Sequence, residues 1–167
     1  MVEGQFNIRV NPEVLKATLH CTIILAVKFF FSLFMGLKTS FAAGVRAPED
    51  GTSFASKDVQ QDFGLNPRHY NDRESQQAAL DCARWKRIVG NDLETIIFGL
   101  IVAWTTLLYH YSSRIQMFFI ALFCIARILH TVFFAAARNP HRSFAWFASW
   151  VAIFGMLVNT SYAVGFQ

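Results

Sequence analysis

Cysteine is scarce in this chain of 167 residues. There are three, Cys21, Cys82 and Cys124, scattered and with no C-x-x-C spacing. That excludes a disulfide framework. Cys21 and Cys124 fall in apolar runs and read as buried thiols, whereas Cys82 reads as an exposed one. Charge is scarce too, at 16% of residues, and no basic block stands alone. The net charge of +4 therefore does not point to nucleic acid. The bases sit near the ends of apolar runs, where membrane topology and anionic headgroups account for them. No internal repeat or low-complexity tract is present. No small-residue cleavage site follows a short apolar core, so no cleavable leader is expected and the first span directs insertion. No metal is expected.

What is abundant is apolar surface. Hydrophobic residues make up 54% of the chain, and 18 of them are phenylalanine. Four runs are each long enough to cross a hydrocarbon core of roughly 30 Å. They cover 12–43, 84–110, 115–137 and 144–166, with a polar loop at 44–83, in which GLNPRHYNDRESQQAALD (64–81) looks like a turn leading into a helix. The joints YHYSSR (109–114) and RNPHR (138–142) are short, which makes neighbouring helices antiparallel. The fold class is thus all-α and integral to a lipid bilayer: one domain, an up-down bundle of four transmembrane helices. Lys38, Arg46, Lys57, Arg68, Arg73, Arg84, Lys86 and Arg87 share one side with Arg138 and Arg142, against Arg9, Lys16 and Arg114 on the other. The positive-inside rule places both basic loops in the cytosol.

The second span raises a question. ARWKRIVGNDLETIIFGLIVAWTTLLYHY (83–111) passes from charged to lipid-soluble with no proline or loop between. Arg87, Asn91 and Glu94 fall at i, i+4 and i+7, on one helical face, and Arg84 extends that stripe. The third span carries Arg127 and, one turn on, His130. Lys28 stands alone inside the first. Ionisable side chains at membrane depth face a bundle interior, a partner subunit or a wet cavity. Two readings stay open. In one the charges pair structurally, Arg127 with Glu94 or Arg87 with Glu94 or Asp92. In the other, Arg84, Arg87, Arg138 and Arg142 concentrate guanidinium groups around an anionic ligand.

R-x-x-x-N-D-L-E (87–94), Lys28 followed by P-E-D (48–50), R-x-x-H-T (127–131) and P-x-R (140–142) occur in this order. Together they resemble the MAPEG family of membrane proteins in eicosanoid and glutathione metabolism, and within it the microsomal glutathione transferase and prostaglandin E synthase branch. The resemblance covers nearly the whole chain. It implies a homotrimer of four-helix bundles, in the endoplasmic reticulum or a mitochondrial membrane, with glutathione as co-substrate between subunits. Arg87, Asn91 and Glu94 would hold glutathione, with Lys28, Arg127 and His130 in the same pocket. Arg142 and Ser143 would act on the thiol. An apolar small molecule or lipid hydroperoxide would enter from the bilayer.

Three departures qualify this. Phe134 and Trp146 stand where those relatives carry tyrosines, and Gly90 where the prostaglandin synthase has an arginine. They disfavour prostaglandin isomerisation and leave a transferase or peroxidase. The alternative is a non-catalytic subunit of a larger membrane complex, docked through the long loop.

Overall fold

A computed structural model describes residues 10–52, 59–65 and 72–165. Arg9, Lys57, Arg68, most of the turn expected ahead of the helix start and the end of the fourth span at Phe166 lie outside them. Among the described residues, four helices are long and apolar enough to cross a membrane: α1 (Pro12–Ala42), α2 (Arg73–Thr105), α3 (Ser113–Ala135) and α4 (Asn139–Gly165).

Local chemistry sets their ends. Asn11 caps α1, its Oδ1 accepting from the backbone N–H of Glu13 at 2.9 Å, and Pro12 fills the first position, where no donor is needed. Helix α1 stops at Gly44, whose φ of 67° suits a residue without Cβ. There the Gly44 and Val45 amides donate to the Phe41 and Ser40 carbonyls, at 3.2 Å each. Helix α3 closes with the same motif, but with Ala137 in the left-handed position at φ 57°.

Helix α2 starts eleven residues earlier than 84, so the loop expected at 44–83 shortens to 43–72. The cause is Asp72, whose carboxylate accepts from the Ser75 amide at 2.7 Å and hydroxyl at 3.0 Å. These bonds hold Asp72 below the usual carboxylate range. The joint between α3 and α4 is also shorter than RNPHR, spanning only 136–138. Asn139 already belongs to α4, and Pro140 is accommodated in its first turn.

The chain divides into two compact units. The first comprises the chain up to Ala26 and from Glu94 onward. In it all four helices meet in one core: Leu25 from α1, Ile96 and Ala103 from α2, Ile120 and Phe123 from α3, Ile153 and Met156 from α4. Asn11 Nδ2 donates to Ser113 Oγ at 3.0 Å, and the Tyr111 amide to the Asn159 carbonyl at 3.0 Å. Gln116 Nε2 donates to Thr106 Oγ1 at 2.6 Å. These bonds bring the start of α1, the end of α2, the start of α3 and the end of α4 to one place. That is the up-down-up-down order. Glycine permits two of the contacts: the Phe123 ring lies where a Cβ of Gly99 would stand, and the Phe119 ring does the same at Gly155.

The second unit, Val27–Leu93, joins the end of α1 to the start of α2. Phe31 meets Trp85 edge-on at 6.1 Å between ring centroids. Ser40 Oγ lies 3.6 Å from Cys82 Sγ. Cys82 is therefore buried rather than exposed, because it sits on the face of α2 turned to α1.

Candidate functional site

Helix α2 has two faces of different character. Trp85, Ile88, Asp92, Thr95 and Ile96 are buried. Arg87 and Glu94 are exposed, with Asn91 half-buried between them in sequence. The i, i+4, i+7 stripe read from the sequence thus points away from its own chain. Asp92 lies roughly 100° around the helix from Asn91 and joins the buried stripe.

Asp92 is fully buried and bonded to the Lys28 ammonium, itself only 9% exposed. Lys28 reaches it from the middle of α1, where Ser32 Oγ also donates to the Lys28 carbonyl at 3.1 Å. A cation that stands alone in the sequence thus has a carboxylate in the fold.

Arg84 is likewise engaged. It donates to Asp81 Oδ1 at 2.8 Å, one turn back on α2. The cluster of guanidinium groups expected around an anion therefore loses one member to an acid on its own helix. Neither Arg87 nor Glu94 has an ion-pair partner among the described residues. The pairs expected between Arg127 and Glu94, and between Arg87 and Glu94 or Asp92, do not form. Arg127 is fully buried whereas Glu94 faces outward, and Asp92 turns to Lys28.

In the first unit, α3 and α4 build a second group. Arg127 and His130 are both buried on α3, one turn apart, with Thr131 beside them. One turn further, Phe134 meets the His130 ring edge-on, centroids 5.6 Å apart. The tight joint at 136–138 then returns the chain so that Arg142, in the first turn of α4, stands over the Phe134 face. The guanidinium carbon is 4.3 Å from the ring centroid. A cation over an aromatic face at this range is held electrostatically. Arg142 also donates to Asn139 Oδ1 at 3.1 Å. Ser143 is exposed beside it, its hydroxyl directed to the Asn139 carbonyl at 3.4 Å. Phe134 thus links His130 to Arg142, a role that a tyrosine ring in its place would share. Trp146 packs against Trp150 instead, at 6.1 Å.

The arrangement offers two kinds of recognition. Arg87 and Glu94 present opposite charges two turns apart on an outward face. Arg142 presents a half-buried cation beside the exposed Ser143 hydroxyl. Three residues that shape these groups escape the sequence reading. Asp81 lies in a polar segment ahead of the expected span. Phe134 reads as a lost hydroxyl rather than a platform. Asp92 reads as a possible partner of Arg87, although its spacing from Ile88 and Ile96 marks the apolar stripe.

The sequence model of the MAPEG family matches residues 18–162, most of the chain. No curated protein matches it.

Proposed function

The chain belongs to the MAPEG family, and from that premise we propose that it is a glutathione-dependent transferase or peroxidase of the microsomal glutathione transferase branch. The observation that carries this reading is the outward α2 face. Arg87 and Glu94 are exposed on a membrane-spanning helix, with no ion pair among the described residues. Charges in that position need cover from another subunit or a wet cavity. A homotrimer with ligand pockets between subunits supplies both. Glutathione carries two carboxylates and one ammonium, which match Arg87 and Glu94 in sign, and Asn91 adds neutral hydrogen-bonding capacity. His130 borders the pocket in this reading. The family resemblance adds Lys28 and Arg127; the first is paired with Asp92 and the second is fully buried.

Thiolate, not thiol, is the nucleophile, and a neighbouring cation or hydroxyl donor lowers the thiol pKa. Arg142, held on Phe134, supplies the cation, and Ser143 the hydroxyl. In the transferase reaction the thiolate forms a carbon–sulfur bond, and the leaving group departs with its electron pair. In the peroxidase reaction two glutathiones are oxidised to the disulfide while a lipid hydroperoxide is reduced to alcohol and water. The apolar partner enters laterally from lipid. The basic loops face the cytosol, in the endoplasmic reticulum or a mitochondrial membrane.

The test is glutathione binding to the protein in lipid, wild type beside Arg87→Ala and Glu94→Ala, read by thiolate ultraviolet absorbance near neutral pH. Binding lost in both variants, with thiolate formed by wild type, is expected. Wild type that binds no glutathione would overturn the proposal. A second reading, a non-catalytic subunit of a larger membrane complex, draws on Phe134, which leaves no tyrosine hydroxyl beside Arg142. Single-copy, stoichiometric co-purification with other membrane proteins would favour it.

A further inference from the structure

Residues 61–65 fold back onto the exit of α1. Asp62 and Gly64 donate their amides to the Gly44 carbonyl at 3.2 and 3.3 Å, and the Phe63 amide donates to the Arg46 carbonyl at 2.9 Å. Gln61, itself buried, donates to the Phe41 carbonyl at 2.9 Å and accepts from the Arg46 amide at 3.2 Å. Gly44 is two residues past the last residue of a membrane-spanning helix. The loop backbone is therefore pinned, by direct hydrogen bonds, to the level at which the chain leaves the hydrocarbon.

At this level the loop presents two large apolar side chains. Phe63 is 59% and Leu65 79% exposed, the latter the highest value among the large hydrophobic residues described. Phe63 holds a left-handed backbone, φ 58°, followed by Gly64 at 72°. An aromatic residue adopts that conformation only where its surroundings impose it. Here Asp62 imposes it, its Oδ1 accepting from the Gly64 amide at 3.0 Å and its carbonyl from the Leu65 amide at 3.2 Å. A polar surface loop needing this turn would place glycine or asparagine at 63. Helix α1 just before it presents Phe30, Phe34 and Leu37 outward, to lipid. The Arg46 guanidinium lies over the Phe41 ring at 5.5 Å and pairs with Asp50. Aromatic rings beside an arginine at a helix exit are the composition of the membrane–water boundary.

We infer that Phe63-Gly64-Leu65 is an interfacial anchor: a rigid loop that sets its two apolar side chains into the headgroup boundary of the leaflet from which α1 emerges. The occupant of this surface is the bilayer itself, continuous with the lipid-facing side of α1. The anchor holds the start of the connecting loop flat on the membrane, and it acts whichever side of the membrane the loop faces.

Nitroxide labelling of the full chain in lipid nanodiscs tests this. The three native thiols are buried, so Leu65→Cys takes the label, and Gln60→Cys, exposed on the same loop, serves as reference. The expected result is a ratio of oxygen to nickel-chelate accessibility several-fold higher at 65 than at 60. Equal nickel access at both sites would place the tip in water and overturn the anchor. A label at 65 that neither reagent reaches would mean that protein covers the loop, and would overturn it equally. Phe63→Gly in the Leu65→Cys background keeps the left-handed backbone and should lower the oxygen share at 65. An unchanged profile would remove Phe63 from the anchor and overturn the pairing.

Discussion

Replacing Asn159 by leucine strips three partners at once. Its Oδ1 accepts from the Ser112 amide at 3.1 Å, and its Nδ2 donates to the Ser112 carbonyl at 3.1 Å and to Gln116 Oε1 at 3.0 Å. Gln116 is fully buried and Asn159 is 4% exposed. Replacing Gln116 by leucine orphans only one group, the second N–H of Asn159. Thr106 Oγ1, the other Gln116 partner, keeps its own bond to the Val102 carbonyl at 2.7 Å. The Ser112 carbonyl likewise keeps the Gln116 backbone amide at 3.0 Å, so Asn159→Leu orphans two groups, the Ser112 amide and Gln116 Oε1. At about 1 kcal/mol per orphaned group, the lower range for buried groups and consistent with interhelical bonds in membranes, Gln116→Leu costs about 1 kcal/mol and Asn159→Leu about 2. The double variant orphans only the Ser112 amide, because the Gln116 and Asn159 side chains disappear together. It should cost about 1 kcal/mol, less than Asn159→Leu alone. The same change at Gln116 thus destabilises the wild type and stabilises the Asn159 variant. Equilibrium unfolding in mixed micelles by SDS titration, followed by circular dichroism, reads all four corners of this cycle. A double variant as unstable as the sum of the singles, about 3 kcal/mol, would refute the reasoning, since the two amides would then act independently.

Gly99→Ala places a methyl in the Phe123 ring and should cost about 1–3 kcal/mol in the same unfolding assay. Ala137→Gly relieves the left-handed residue at the end of α3 and should stabilise by about 1 kcal/mol. The Asp72 cap should protect the first turn of α2 at neutral pH. Its carboxyl is held below the usual range by Ser75, so the protection is present above the ordinary aspartate pKa and lost as pH falls through the lowered one. Amide exchange at Ser75 and Gln76 should quicken in Asp72→Ala, and in wild type only under strongly acidic conditions. Phe134→Leu removes the platform under Arg142, a contact of about 0.5–2 kcal/mol. It should reduce glutathione thiolate formation while leaving glutathione affinity within about threefold, a change under 1 kcal/mol. An equal loss of both would argue that Arg142 binds rather than activates.

The spans were legible because lipid selects a signal that lies in composition itself: about 20 apolar residues in a row. The watery turns of α2 before residue 84 carry no such signal. RESQQAALDCA is polar; a turn leading into a helix was legible there, but not that this helix runs unbroken into the span from the Asp72 cap, three residues ahead of Ser75. Within the polar start of α2, charge announced a special face but not its direction. Arg87, Asn91 and Glu94 share a stripe by spacing, yet spacing is silent on which stripe turns inward. Burial answers that: Asp92 follows Ile88 on the inner stripe and meets Lys28. The platform under Arg142 depends on a joint of three residues, and its geometry cannot be read from RNPHR alone. The bonds of Gln116 and Asn159 join residues 43 apart, beyond any local pattern.

Phe119 and Phe123 leave α3 one turn apart, and each ring is seated in the notch of a glycine on a different neighbour, Gly155 of α4 and Gly99 of α2. Helix α3 is thereby keyed on two sides, like a shaft with two splines. It can neither slide along its axis nor turn about it without driving a ring into backbone. Arg127, His130 and Phe134 are all carried on this keyed shaft, so their heights are set together, and Arg142 is tied to them through the Phe134 ring.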